Sequence, residues 1–194
     1  MALPACRRAI RAAGSSIRAL HRREPAQARE LAADAGAALR QAQAALGPHP
    51  AVAHAGFLHD AEREVAEAHL TAAMLDGSAL PGPADLGVDA APWLKALAEA
   101  ASELRRATLD RMRAGDLAGG ETLLATMDDA YDVLMTVDFP DALTEGLRRT
   151  VDALRAVLER TRGDVTATVV QARLQRALER PPAPGAERPL PPPG

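Results

Sequence analysis

Four glutamates are spaced so that they could meet around one cation. Glu64 and Glu67 lie three residues apart in the segment Gly56-Phe-Leu-His-Asp-Ala-Glu-Arg-Glu-Val-Ala-Glu-Ala, a separation that puts two side chains on one helix face. Glu64 stands inside the apolar stripe of Phe57, Ala61, Ala68 and Leu75. A carboxylate there is costly unless a partner, typically a cation, compensates it. A second helix carries Glu99 and Glu103, four residues apart, and Asp60 could join the first pair from the same side. Two acidic pairs on two long helices suit a metal ion acting on phosphate, because a divalent cation held by oxygen ligands stabilises the charge that develops there. The same residues also suit an ordinary helix surface. Glu103 could pair with Arg105 or Arg106, and Glu64 with an arginine of another helix.

A basic series stands on the first helix. Arg7, Arg11, Arg18 and Arg22 project within a narrow arc beside the apolar face, and Arg8 and Arg23 extend it. Such a stripe can neutralise phosphates along a strand without reading bases, or it can simply pair with acids of neighbouring helices. Gly146-Leu-Arg-Arg and Arg160-Thr-Arg carry the same two readings. A di-iron carboxylate bundle would need Glu-x-x-His on two helices. None of His21, His49, His54, His59 and His69 has a glutamate three residues before it. His59 and His69 read as polar helix positions or as groups behind the ligands.

The elements that must position these groups are all helices, divided by glycines and prolines. The pattern predicts seven. The first runs from Pro4 to Arg22, the second from Pro25 to Leu46 and the third from Pro50 to Leu75. After a Pro/Gly-rich loop from Gly77 to Ala90, the fourth runs from Pro92 to Ala114, with Leu94, Leu97, Ala101 and Leu104 as its apolar stripe. Glu99 and Glu103 face roughly away from that stripe and so are expected to point to solvent in a monomer. Asp116 is placed to cap the fifth helix, which reaches Val137. A sixth is marked by Leu147, Val151, Leu154 and Leu158 and is expected to stop at Gly163; Asp164 then starts a seventh, to Arg180. The expected architecture is an all-α antiparallel bundle over residues 1–180, with residues 181–194, seven of them proline, as a disordered tail.

Composition agrees. The chain has 194 residues, 47% hydrophobic and only 2% aromatic, enough for one core and short of the rings that stack on bases. Net charge is −3, so any nucleic-acid contact would rest on arginine and metal rather than on a basic molecule overall. Lys95 is the only lysine. The lone Cys6 excludes an internal disulfide or a cysteine-based zinc site. No apolar run is long enough for a membrane span, no secretory signal pattern opens the chain, and a cytoplasmic protein is expected.

The glutamate segment resembles the signature helix of the translin family, which includes translin-associated factor X (TRAX) and prokaryotic translin-like proteins. The resemblance continues through Trp93-Leu-Lys-Ala-Leu-Ala-Glu-Ala-Ala-Ser-Glu-Leu-Arg-Arg, Gly115-Asp-Leu, Asp138-Phe-Pro-Asp-Ala-Leu, Gly146-Leu-Arg-Arg and Arg160-Thr-Arg-Gly-Asp. It extends from the Ile17-Arg-Ala-Leu-His-Arg-Arg-Glu segment to about Arg180. It implies a seven-helix protomer that assembles into a hollow homo-oligomer, an octamer or hexamer, and binds single-stranded RNA and DNA.

In the TRAX type, the resemblance implies an endoribonuclease dependent on Mg²⁺, with Mn²⁺ as a substitute, cutting single-stranded RNA inside the shell. Its acids fall here on Glu64, Glu67, Glu99 and Glu103. The family pattern has aspartate at the position of Glu99; glutamate keeps the charge but adds a methylene, and magnesium is strict about geometry. Plain translin subunits carry an incomplete acidic set, so a non-catalytic nucleic-acid binder is the alternative function. A helical scaffold binding only protein is the third.

Overall fold

The computed structural model describes residues 2–47 and 56–179. The expected proline-rich tail and the expected start of the third helix at Pro50 lie outside the described residues.

All regular structure among the described residues is helical: α1 (Ala2–His21), α2 (Pro25–Leu46), α3 (Phe57–Asp76), α4 (Pro83–Leu86), α5 (Ala90–Arg113), α6 (Leu117–Met135), α7 (Asp141–Thr144) and α8 (Leu147–Glu179). Pro25 opens α2 where a missing N–H costs nothing. Asp116 caps α6 as expected, its Oδ1 accepting from the Gly119 N–H at 2.9 Å. Gly77 closes α3 in the left-handed conformation (φ 74°), which a glycine adopts without penalty. The Trp93 indole donates to the Pro81 carbonyl at 3.0 Å and pins the loop before α5.

The helix count differs from the expected seven. The described residues hold six long helices and two single turns: α4 lies inside the loop expected from Gly77 to Ala90, and α7 lies between the expected fifth and sixth helices. The expected sixth and seventh helices are one helix, α8, which passes through Gly163 without a break. A mid-helix glycine costs about 1 kcal/mol, and packing outweighs it: Leu154, Leu158 and Thr161 before the glycine and Val165 after it are buried on one stripe. Asp164 does not cap anything. Its Oδ2 accepts laterally from Arg105 of α5 at 2.7 Å.

α5 is the central helix, packed on α3, α6 and α8, while α3 also packs on α1 and α2. The α3–α5 contact therefore joins the two halves of the bundle. Alanines Ala61 and Ala68 of α3 and Ala96 and Ala100 of α5 are fully buried on the sides of these helices that carry Glu64 and Glu103. Small side chains let two backbones approach closely, so polar residues flanking the seam are brought face to face.

Candidate functional site

The flanking residues are the four predicted glutamates. Glu67 is only 9% exposed and makes no hydrogen bond among the described residues. Burial first, then the neighbouring Glu99, Glu64 and Glu103 carboxylates, push its pKa from the ordinary 4.5 up to about 8, against the opposing pull of Arg63. Arg63 reaches across the seam, its Nη2 pairing with Glu64 at 2.8 Å and its Nη1 with Glu99. Burial also raises the Glu64 carboxyl, with Arg63 working against it. Glu103 accepts from His21 of α1, Nε2 to Oε2 at 2.6 Å. Four carboxylates thus face one guanidinium and one imidazole. Arg149, Thr150 and Ala153 of α8 close the far side of a hollow of about 390 Å³ that contains Glu67, Glu99 and Glu103.

Two expectations change. The glutamate sunk deepest in this seam is Glu67, with Glu64 23% exposed at its side chain. Glu99 and Glu103 do not point to open solvent; their side chains are 29% and 37% exposed. Because α5 has neighbours on three sides, the face opposite its leucines meets α3 and α8. Asp60 is exposed and acts on Glu64 only through its charge.

A second group lies about 200° around α3 from Glu64. There His59, Glu62 and Asp89 offer ligand atoms within 4.8 Å of one another, an arrangement that could hold a metal ion. Among the described residues only this set closes so tightly. Glu62 is 3% exposed, yet its oxygens accept from the Gln43 amide at 3.0 Å and from the Asp89 backbone N–H at 3.3 Å. His59 stands between Asp89 (3.4 Å) and Glu145, and Lys95 lies 4.0 Å from Glu145. Sequence reading passed over this group. Its signal was His59-x-x-Glu62, the reverse of the order sought, joined by a cap residue from another helix.

The arginines separate into two kinds. Arg7, Arg11 and Arg18 are exposed, with no acid within 4 Å among the described residues, whereas Arg22 pairs with Glu24 at 2.7 Å. Arg162 and Asp164 hold α8 to its neighbours through Asp128 (2.5 Å) and Arg105, so this part of the Arg160-Thr-Arg-Gly-Asp segment is structural. Arg149 of Gly146-Leu-Arg-Arg instead lines the acidic hollow. A larger cavity of about 700 Å³ opens where the α1–α2 turn, the end of α3 and the end of α5 meet, with four arginines and His21 in its wall.

Fold and site together define an all-helical protein with a crowded carboxylate cluster on the seam of its two central helices. The sequence matches no family model. It is 34% identical over 88 residues to an uncharacterised protein of Methanocaldococcus jannaschii, a match spanning 45% of this chain and only 39% of that relative's length. The fold is similar to that of a solved AfC3PO–duplex RNA complex, with TM-score 0.81 and 31% identity over 89% of this chain and 88% of that one. A crystal structure of AfC3PO gives 0.80 at 31% identity, covering 89% of each chain. Apo-NeC3PO, at 16% identity and TM-score 0.76 over 86% of this chain and 87% of that one, shares the fold. The chain belongs to the translin family, which includes the C3PO proteins.

Among the described residues, no helix is long and apolar enough to cross a membrane.

Proposed function

We propose that this chain binds single-stranded RNA and cuts it internally, using a divalent metal held by Glu64, Glu67, Glu99 and Glu103, within a homo-oligomer. One observation carries the reading: Glu67 is buried, has no hydrogen-bond donor and is surrounded by three more carboxylates. Such a group is stabilised by taking a proton or by gaining a cation. An all-oxygen donor set suits Mg²⁺, or Mn²⁺ in its place. When bound, the ion supplies positive charge to the phosphate and lowers the pKa of a coordinated water.

The chain's own residues supply the rest. His21 Nε2 donates to Glu103 Oε2 at 2.6 Å and fixes that carboxylate's orientation. Arg149, on the opposite wall, is placed to hold a non-bridging phosphate oxygen. Arg63 already supplies part of the missing positive charge, so ion and guanidinium compete for Glu64 and Glu99. The RNA in the AfC3PO complex supports nucleic acid as the ligand. Exposed apolar groups at the end of α6 and beyond it (Met135 59%, Phe139 67%, Leu143 66%) and along α8 (Val170 56%, Leu174 59%, Leu178 78%) support burial against further copies.

A non-catalytic binder of single-stranded RNA or DNA is the second reading. It is favoured by Glu99, the glutamate in place of aspartate, being engaged already by Arg63. Incubation of the protein with end-labelled single-stranded RNA, in Mg²⁺ and in EDTA, separates the two. Internal cleavage in Mg²⁺ that is absent with EDTA and with Glu67→Gln supports the nuclease; unchanged RNA with intact binding supports the binder.

A further inference from the structure

The cavity of about 700 Å³ beside the acidic cluster is walled by Arg23, Arg29, Arg106 and Arg111. Three aspartates share that wall, and each is already engaged. Asp76 accepts from the Ser78 N–H at 2.9 Å, Asp110 pairs with Arg113, and Asp116 caps α6. No carboxylate lies within 4 Å of any of the four guanidinium groups among the described residues; Arg111 reaches only the Gly119 carbonyl, at 3.4 Å. The four guanidinium groups outnumber the three carboxylates of the wall and pair with none of them, so the hollow is net positive and an anion is favoured there. The planar fork of arginine matches phosphate oxygens two at a time.

Position and size narrow the anion. His21 lines this cavity and also holds Glu103, and Arg106 lines both this cavity and a third hollow, of about 580 Å³, that shares Ser102 and Glu103 with the acidic one. The two regions are thus one trough along α5, and Glu103 to Arg111 spans about 12 Å at 1.5 Å per residue. The volume is that of a small-molecule pocket, about 300–1,000 Å³, well beyond a lone phosphate. Leu20 and Leu75 give it an apolar side, and the imidazole of His21 is its one aromatic ring.

We infer that this cavity is a subsite for one phosphate-bearing nucleotide unit, held through its phosphate. Resting on the nuclease reading, it receives the stretch of strand next to the phosphate at the acidic cluster. The strand is then anchored on the basic side of the trough while its neighbouring phosphate is brought to the carboxylates, where charge alone would repel it.

The test uses the whole protein in EDTA, so that binding is read without cleavage. Titration calorimetry with adenosine 5′-monophosphate is compared with adenosine and with inorganic phosphate. The monophosphate is expected to bind at least tenfold more tightly than either. The Arg29→Gln/Arg106→Gln variant, altered at two exposed positions, is expected to lose at least tenfold in that affinity, while Glu67→Gln binds as wild type does. In Mg²⁺ the double variant should raise KM for single-stranded RNA at least fivefold with kcat within twofold.

Equal binding of monophosphate and adenosine, equal binding of inorganic phosphate, or an unaffected double variant overturns the subsite. The two readings fail separately. Wild type that cleaves nothing yet binds the monophosphate through these arginines loses the nuclease and keeps the subsite. Wild type that cleaves RNA with a KM indifferent to Arg29 and Arg106 does the reverse.

Discussion

Two carboxylate groups sit on opposite sides of α3, and they differ in how each settles its charge. Around Glu62 every polar atom has a partner: Gln43 and the Asp89 N–H on Glu62, Asp89 and Glu145 on His59. Around Glu67 the carboxylates outnumber the cations, and Glu67 has no hydrogen-bond donor among the described residues. By distance, the first group resembles a metal site more closely. By energetics the second needs an ion more: burial raises the Glu62 carboxyl too, but hydrogen bonds from Gln43 and Asp89 oppose that rise, whereas at Glu67 three carboxylates add to it. Proximity of ligand atoms reports how far side chains have collapsed onto one another; unmet charge reports what is still missing.

The difference can be broken most sharply with pH. Glu67 has its folded-state pKa raised, so the folded protein binds the extra proton between pH 4.5 and about 8. The stability associated with that proton is fully present below pH 4.5 and is lost as pH rises through 8. Metal-free wild type should lose up to about 5 kcal/mol across this window relative to Glu67→Gln, as read from urea unfolding at several pH values. Mg²⁺ should restore most of it at pH 8. Parallel curves for the two proteins would remove Glu67 from the account.

The Glu62 side should respond in the opposite way. Glu62→Ala strands Gln43 and the Asp89 N–H and should cost about 3 kcal/mol of stability, with cleavage by the folded fraction unchanged. Zn²⁺ or Mn²⁺ that raised Tm of Glu67→Gln, and did not raise it once His59→Ala was added, would make this closed group a metal site and reverse the comparison. Next in size, Glu67→Gln should lower cleavage of single-stranded RNA about 100-fold, with binding in EDTA retained.

Arg63→Met sharpens the same contrast from the cation's side. Removing the internal competitor should tighten Mg²⁺ binding about tenfold, or about 1.4 kcal/mol, while lowering metal-free Tm. Weaker Mg²⁺ binding would mean that Arg63 orients the ligands rather than competing with the ion. The smallest effect is expected at the exposed stripe: each of Arg7→Ala and Arg11→Ala should reduce the slope of log affinity for single-stranded RNA against log salt by about 0.7.

Much of the fold was legible because its signals are local. Pro25, Gly77 and Asp116 each mark a helix end through their own backbone or side-chain chemistry, whatever packs nearby. Gly163 and Asp164 carried equally plain local signals and misled. The buried stripe through Leu158 and Val165 outweighs one glycine, and Arg105 from another helix claims the aspartate. At the site, the spacing of Glu64 with Glu67 and of Glu99 with Glu103 could be read from helical periodicity. Which one lacks compensation could not, since burial of Glu67 depends on α5 and the engagement of Glu99 on Arg63.

By itself the sequence determined most of the long helices and their ends, Gly163 excepted, and four carboxylates on two helix faces, because periodicity and capping act within a few residues. Only the tertiary structure decided that those faces meet across an alanine seam. It also decided that His21 and Arg149 arrive from α1 and α8, and that four arginines with no acid within 4 Å among the described residues gather in one cavity beside them. The reason is physical: desolvation and Coulomb repulsion depend on distances between elements, and those distances exist only once the helices have packed.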